Sequence, residues 1–207
     1  MSDPRRLYLV RHGETAGESS IRFHGRNDVP LSDLGRRQIR RLAPLLREVR
    51  FAAVVHSPLC RAAESARILI EGLARRPDVV EVAPGLTEID FGEMEGLTDA
   101  EIAARRPDWH AEWKAGRANG FPGGEPFAEF ARRIEGAFAE LLARHPHGDV
   151  LVVGHKGTIK RGVRWLVPVG HEQDEWADLA LGSVSVVACG DPRLLELWSV
   201  VPPTDSG

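Results

Sequence analysis

The chain has 207 residues, of which 43% are hydrophobic and 28% are charged, and its formal net charge is −3. This balance is typical of a globular protein with a sizeable core, and it argues against long disordered or coiled-coil segments. The sequence shows no basic stripe suited to a nucleic-acid backbone and no apolar run of roughly 18 residues. We therefore expect neither nucleic acid nor a membrane as a partner.

The sequence shows no linker, so we expect a single domain over residues 1–207. Its two cysteines, Cys60 and Cys189, are far apart and lack the spacing of a thiolate metal site or a disulfide framework. The polar N-terminus has no signal-peptide pattern. A reducing compartment follows, and we expect a cytoplasmic protein.

The chain begins with a strand and then a helix. Leu7–Val10 is an apolar run that stops at Arg11, which predicts a buried strand leading into a functional loop. Ser32 is a suitable N-cap for the helix that follows, and Pro44 should kink or restart that helix. The residues expected on its buried face are Ile39, Leu42, Leu46 and Val49.

Two more strands follow in the next part of the chain. Ala52–Val55 predicts the second strand, and Pro58 suits the first turn of a helix that continues to Leu73. Val79–Val82 predicts the third strand. Residues 98–127 have little apolar periodicity, which predicts an irregular excursion with short helices.

The last part of the chain completes an α/β pattern. A helix is expected from about Pro126 to Arg144, and a fourth buried strand at Val150–Val153. After another helix, Ser183–Ala188 and Leu194–Val200 predict two closing strands, antiparallel to each other. Strands that alternate with helices predict a three-layer α/β/α sandwich with a mainly parallel central sheet.

Three of the predicted strands end next to cationic or imidazole side chains. Ligands of open parallel sheets bind beyond the carboxyl ends of the strands, so Arg11, His12, Arg61 and His155 are expected to meet at one edge. Two arginine forks on one anion indicate phosphate. The sequence therefore predicts a pocket for a small phosphorylated substrate.

These residue types also suggest a mechanism. A neutral imidazole can attack phosphorus, and the resulting phosphohistidine is labile enough for water to complete hydrolysis. A protonated second histidine would add a donor for the developing charge. An alkoxide leaving group needs a general acid, and Glu88 is the candidate. The competing acids in the same loop are Asp90, Glu93 and Glu95.

The motifs of the chain resemble those of the histidine phosphatase superfamily, which includes the cofactor-dependent phosphoglycerate mutases. The signature stretch is Leu9-Val10-Arg11-His12-Gly13-Glu14-Thr15. Further landmarks follow in family order over about nine-tenths of the chain. They are Phe23-His24-Gly25, Pro30-Leu31-Ser32 with Gly35, Ser57-Pro58-Leu59 with Arg61-Ala62, Leu86 to Gly92, Glu95-Gly96, Pro122-Gly123-Gly124-Glu125 and Val153-Gly154-His155.

The resemblance implies a role for each pocket residue. His12 would be phosphorylated, Glu88 would be the proton donor, and Arg11, Arg61 and His155 would form the phosphate pocket. It also implies a phosphoglycerate mutase-like fold, a metal-independent mechanism without a cofactor, and a lid-like insertion at residues 91–127. Residues that we add as phosphate or substrate contacts at the rim are His24, Gly25 and Lys156.

Two departures from the family pattern and two alternative functions stay open. Glu18 stands where the family often has asparagine, so either it points away or a neighbouring serine takes the polar role. Lys156 either binds a second anionic group or faces solvent. A mutase would need paired arginines for a substrate carboxylate, for which Arg105-Arg106 is the nearest candidate. A phosphate-binding module without catalysis is the other alternative, and a homodimer is left open.

No metal site is expected. The segment that begins at His171-Glu172 starts like a zinc-binding helix but lacks the second histidine.

Overall fold

The computed structural model describes residues 5–167 and 178–203. The segment from His171, considered above as a zinc-binding helix, lies outside them. The strands are β1 Arg6–Arg11, β2 Phe51–His56, β3 Val79–Val82, β4 Asp149–Gly154, β5 Val184–Ala188 and β6 Leu194–Val200. The helices are α1 Asp33–Leu46, α2 Cys60–Gly72, α3 Asp99–Arg105, α4 Pro107–Lys114, α5 Phe127–Arg144 and α6 Lys156–Leu166. Short 3₁₀ turns occur at Pro84–Leu86 and Gly92–Met94.

The strands form one sheet in the order β3-β2-β4-β1-β5-β6. The four strands from β3 to β1 run parallel to one another. β5 is antiparallel to β1, and β6 is antiparallel to β5. The prediction of a mainly parallel sheet closed by two mutually antiparallel strands is confirmed.

Each face of the sheet carries its own apolar core, because successive side chains of a strand point to opposite faces. Leu9 of β1 packs into a cluster with Ile134 of α5 and Ile159 of α6. Val10 packs into the other cluster, with Ile39 of α1 and other residues of α1 and α2. Helices therefore cover both faces, and the three-layer α/β/α architecture is confirmed. Each fully buried aliphatic side chain contributes about 1.5–3 kcal/mol through the hydrophobic effect.

Of four local helix predictions, one is confirmed and three are corrected by the structure. The Ser32 N-cap is confirmed, since its side chain accepts a hydrogen bond from the Gly35 amide at 3.1 Å. The helix does not restart at Pro44, because α1 runs through this residue and ends two residues later, with one backbone N–H missing from its last turn. Val49 lies beyond the end of α1, and Pro58 precedes α2 by two residues instead of lying in its first turn.

The irregular excursion predicted for residues 98–127 is confirmed, with α3 and α4 as its short helices. Its centre is an aromatic cluster. Trp109 and Trp113 stack with ring centroids 5.6 Å apart, and both lie within 6 Å of Phe121. A lid function for residues 91–127 remains a prediction. Among the described residues no helix has the length and apolar character needed to cross a membrane.

Candidate active site

The carboxyl ends of β2, β4 and β1 lie side by side, and they bring together the histidines predicted to share a site. His12 follows β1 and His155 follows β4, and their ring centroids are 5.1 Å apart. The His12 amide donates to the Gly154 carbonyl at 3.1 Å, which continues the β1–β4 pairing into the loop. Arg61 enters from the first turn of α2, which follows β2.

A cavity of about 520 Å³ opens at this edge of the sheet. Its described lining consists of Arg11, His12, Ser19, Ser20, Ile21, Arg22, Phe23, His24, Glu88, Phe91, Trp113, Lys156, Asp178, Ala180 and Leu181. Arg61 and His155 are 0% and 1% exposed. They do not belong to this lining and lie buried behind it.

His12 is prepared for attack by its hydrogen bond and by its surroundings. Its Nδ1 lies 2.7 Å from the Gly13 carbonyl oxygen, which can only accept, so Nδ1 carries the proton and Nε2 keeps its lone pair. Burial, followed by the charges of Arg61 and Arg11, holds the pKa of His12 well below its ordinary value. The imidazole is therefore neutral, which is the nucleophilic form.

His155 is positioned by a serine. Its Nε2 lies 2.8 Å from the Ser57 hydroxyl, and that hydroxyl accepts the Leu59 amide at 3.4 Å. With Ser57 as the donor to Nε2, the proton of the neutral ring is on Nδ1, a buried atom without a partner in the described part of the chain. Burial and the charge of Arg61 hold the pKa of His155 well below its ordinary value. The donor that His155 offers is thus a neutral N–H and not the protonated ring that the sequence suggested.

The two arginines occupy different positions. Arg11 lines the cavity and donates from one terminal nitrogen to the Leu179 carbonyl, and burial lowers its pKa to about 10. Arg61 donates to the carbonyls of His24, Gly25 and Asn27 at 2.7–2.8 Å. The Nε atoms of both arginines are buried without a partner among the described residues. Arg61 therefore supports the loop at the cavity rim and adds positive charge beneath it.

Of the four acids considered for the proton donor, Glu88 is the one within the described lining of the cavity. It is 5% exposed, and its two oxygens accept the amides of Ile89 and Gly157 at 3.0 and 2.9 Å. Burial raises its pKa, which favours the protonated form. The preceding turn is fixed by Arg133, which donates to the carbonyls of Gly85 and Thr87 at 2.9 and 2.7 Å.

The three competing acids have structural partners instead. Asp90 accepts the Gly92 amide at 2.8 Å, and Glu93 pairs with Arg106 at 2.7 Å. Glu95 accepts four backbone amides at 2.9–3.3 Å. Those four donors are Gly25, Arg26, Asn27 and Phe91. The rim loop is thus held through its amides by Glu95 and through its carbonyls by Arg61.

Glu14 and Glu18 show how the loop after β1 tolerates carboxylates near an anion site. Glu14 accepts from Thr15, Ser19 and Ser20 at 2.8–3.2 Å. Burial opposes its ionisation, but these hydrogen bonds outweigh burial and lower its pKa. Glu18 is not part of the described lining of the cavity: its side chain is 65% exposed and lies 3.5 Å from Arg22. Ser19 and Ser20 line the cavity in its place.

The three rim residues predicted as additional contacts lie in different environments. His24 lines the cavity, with Nε2 against the Gly17 carbonyl and Nδ1 buried without a partner in the described chain. Lys156 is exposed and lines the cavity, and burial followed by the charge of Arg11 lowers its pKa. Gly25 is not in the described lining. Its amide donates to Glu95 and its carbonyl accepts from Arg61, so it has no free donor for phosphate.

Sequence reasoning missed most of the apolar lining and the role of Ser57. Ile21, Phe23, Phe91 and Leu181 come from loops in which periodicity gives no signal. Trp113 both packs against Phe121 and lines the cavity. A large aliphatic residue in a polar loop, such as Ile21 at 56% exposure, was the available hint.

Neither a thiolate nor a metal is supported as an alternative reagent by the described residues. Burial raises the pKa of Cys60 to about 11, so its thiol stays protonated at neutral pH. Within residues 5–167 and 178–203, no group of three or more histidine, cysteine, aspartate or glutamate side chains could hold a metal ion.

Comparison with known families identifies the class of this protein. Residues 7–199 match the model of the histidine phosphatase superfamily, branch 1. The chain belongs to this superfamily, as the motifs predicted.

The relatives carry both phosphatase and mutase names. A bifunctional protein of Mycobacterium tuberculosis is 38% identical over 88% of this chain, and the chain spans only 50% of that protein's length. An acid phosphatase of the same organism is 36% identical over 89% of this chain and 86% of its own length. A 2,3-bisphosphoglycerate-dependent phosphoglycerate mutase of Gloeobacter violaceus is 33% identical over 84% and 80%.

The solved structures agree with the fold. The α-ribazole phosphatase of Shigella flexneri superimposes with a TM-score of 0.81 at 26% identity, covering 94% of this chain and 96% of that one. The fold is therefore phosphoglycerate mutase-like, and the superfamily and its named members support a phosphatase-type enzyme.

Proposed function

We propose that this protein is a metal-independent phosphomonoesterase that hydrolyses a small phosphorylated metabolite through a phosphohistidine at His12. The observation that carries the proposal is the His12 ring, whose Nδ1 is bound to Gly13 while Nε2 is left unprotonated in an arginine-rich cavity. We include a cytoplasmic location in the proposal, supported by the two unpaired cysteines.

The proposed reaction has two displacements. In the first, Nε2 of His12 forms a bond to phosphorus, the ester P–O bond breaks, and protonated Glu88 gives its proton to the leaving oxygen. In the second, water attacks phosphorus, the P–N bond breaks, and the water proton passes to the Glu88 carboxylate. Burial raises the pKa of Glu88, which favours the protonated form that donates in the first displacement, and the carboxylate left behind accepts the proton in the second.

The charge of the pocket suits a phosphate dianion. Arg11 and Lys156 line the cavity, and buried Arg61 adds a third positive charge beneath it. Both histidines are neutral, so they do not add to the positive charge of the pocket, and His12 presents a lone pair to the phosphorus. Positive charge of this kind stabilises the equatorial oxygens as negative charge develops.

A phosphoglycerate mutase is the alternative, and the position of the paired arginines argues against it. Arg105 and Arg106 are not part of the described lining of the cavity, and Arg106 is paired with Glu93 at 2.7 Å. The one sequence feature that favoured a module without catalysis was Glu18, and this residue is exposed and is not part of the described lining of the cavity.

The test is a steady-state assay of phosphate release from a panel of phosphomonoesters, with 3-phosphoglycerate and its bisphosphate primer included. We expect phosphate release, and loss of it in His12→Gln. His56→Gln is a matched control. His56 is the last residue of β2, and its Nδ1 likewise contacts the carbonyl oxygen of the next residue, Ser57, at 2.8 Å. Rapid isomerisation without phosphate release, or a His12→Gln variant as active as His56→Gln, would overturn the proposal.

A further inference from the structure

The lining of the cavity contains five large apolar side chains that the phosphate chemistry does not use. We call this set the apolar wall, and its members are Ile21, Phe23, Phe91, Trp113 and Leu181. Ile21 is 56% exposed, although an aliphatic residue in a loop gains nothing from contact with water. Phe23, Phe91 and Trp113 are partly buried and pack against the core, so what distinguishes the wall is that its apolar surface lines the same cavity as His12 and Arg11.

The aromatic part of the wall is held rigidly from behind. Phe23 packs edge-on against Phe91 and Trp113, with centroids 5.1 and 5.7 Å apart. Phe121 lies beneath all three rings, 4.7 Å from Phe91 and 5.7 Å from Trp113. Trp109 stacks on Trp113 at an interplanar angle of 10°. The ring surface that lines the cavity is thus supported by further aromatic rings behind it.

The charged groups beside the wall do not suit a carboxylate on the leaving group. The guanidinium of Arg22 donates to the Gly96 carbonyl at 2.8 Å and to Glu101 at 2.9 Å, and it lies 3.5 Å from Glu18. Asp178 also lines the cavity and adds negative charge. Lys156 lines the cavity and directly follows His155 at the start of α6, so its charge lies on the phosphate-binding side.

We propose that the apolar wall binds a leaving group that carries a flat apolar ring, so that the substrates are phosphomonoesters of ring-bearing alcohols and not phosphorylated carboxylic acids. This specificity rests on the proposed phosphatase function. A cavity of about 520 Å³ has room for such a group together with the phosphate. Ring faces and edges of the wall offer stacked and edge-on contacts to the ligand.

The test measures binding of three non-hydrolysable alkylphosphonates by titration calorimetry. The probes share the phosphonate and the first two carbons, and they are ethylphosphonate, 2-phenylethylphosphonate and 2-carboxyethylphosphonate. We expect the phenyl probe to bind roughly tenfold or more tightly than the ethyl probe, and the carboxyl probe to bind no better than the ethyl probe. Equal affinity for phenyl and ethyl, or tightest binding of the carboxyl probe, would overturn the proposal.

Two variants locate the effect at the wall. Ile21→Ser should reduce the phenyl-to-ethyl preference about fourfold, as expected for loss of roughly one buried methylene contact. Leu194→Ser is the matched control, because Leu194 is also 56% exposed but lies on β6 outside the described lining, and it should leave the preference unchanged. An unchanged preference in Ile21→Ser, or an equal drop in both variants, would contradict the assignment.

Binding of phosphonates separates this proposal from the proposed function. If the phenyl probe binds tightly but no phosphomonoester is hydrolysed, the wall is right and the catalytic assignment is wrong. If ester hydrolysis is observed but the three probes bind alike, the phosphatase assignment holds and the specificity is wrong. Hydrolysis of 2-phenylethyl phosphate and ethyl phosphate gives the same comparison in kcat/KM, since both are primary alkyl esters.

Discussion

Replacing Glu88 by glutamine should impair hydrolysis in proportion to how much the leaving group needs a proton. The carboxyl oxygens accept amides of Ile89 and Gly157 at 3.0 and 2.9 Å, and glutamine can satisfy only one of these donors. The unsatisfied amide costs about 1–3 kcal/mol, which is less than the 5–15 kcal/mol stability of a typical domain, so the variant should fold. Loss of a general acid should lower kcat about 10²- to 10⁴-fold for an alkyl ester.

An aryl ester supplies the internal control for this prediction. Nitrophenolate leaves without protonation, so Glu88→Gln should change kcat for p-nitrophenyl phosphate far less than kcat for ethyl phosphate. The pH dependence has a definite sign. Burial raises the pKa of Glu88, the protonated form is the donor, and wild-type activity on ethyl phosphate should therefore fall as pH rises through that pKa. The variant should lack this alkaline decline.

The assay is steady-state phosphate release over about pH 4–9, a range that brackets the ordinary carboxyl and imidazole pKa values. The matched control is Glu93→Gln. Glu93 lies in the same loop but is exposed and paired with Arg106. Its variant should behave like the wild type. Equal losses on the alkyl and aryl esters, an alkaline decline that persists in Glu88→Gln, or a larger loss in Glu93→Gln would refute the reasoning.

Three further perturbations test the supports of the site. Ser57→Ala should leave Nε2 of His155 without its hydrogen-bond partner, which should lower the free energy of unfolding by about 1–3 kcal/mol. The same variant should lower kcat more than it raises KM, and Ser57→Thr should recover part of the activity. Gly35→Ala would place its Cβ 2.0 Å from the Glu14 carbonyl oxygen, so thermal unfolding should show a loss of about 1–3 kcal/mol; an unchanged Tm would contradict this close contact. Dialysis against a chelator should leave kcat unchanged, whereas a loss that Zn²⁺ or Mg²⁺ restores would contradict a metal-independent mechanism.

The parts of the fold that follow local rules could be predicted from the sequence. Apolar runs such as Val150–Val153 and the N-cap at Ser32 carry their signal within a few residues, and the structure places them as expected. Pro44 was misjudged for a physical reason. A proline removes one backbone hydrogen bond and crowds the carbonyl four residues earlier, and α1 keeps its helical course through Pro44 to Leu46 despite this cost.

The site was predictable where strand ends determine it and unpredictable where loops do. His12 and His155 follow parallel strands, so sheet topology alone brings them together. Arg61 was expected to reach the anion directly, but its terminal nitrogens bind loop carbonyls, an outcome that depends on the path of residues 24–27. The apolar wall combines side chains from four separate segments, and no short-range pattern reports such an arrangement.

The most direct test of the account is to identify the atom that is phosphorylated during turnover. Rapid quenching under alkaline conditions with an aryl phosphate, followed by peptide mapping and phosphorus NMR, should locate the phosphoryl group on Nε2 of His12, because Nδ1 is bound to the Gly13 carbonyl at 2.7 Å. Phosphorylation at Nδ1, at another residue, or at no residue while turnover continues would contradict the central claim.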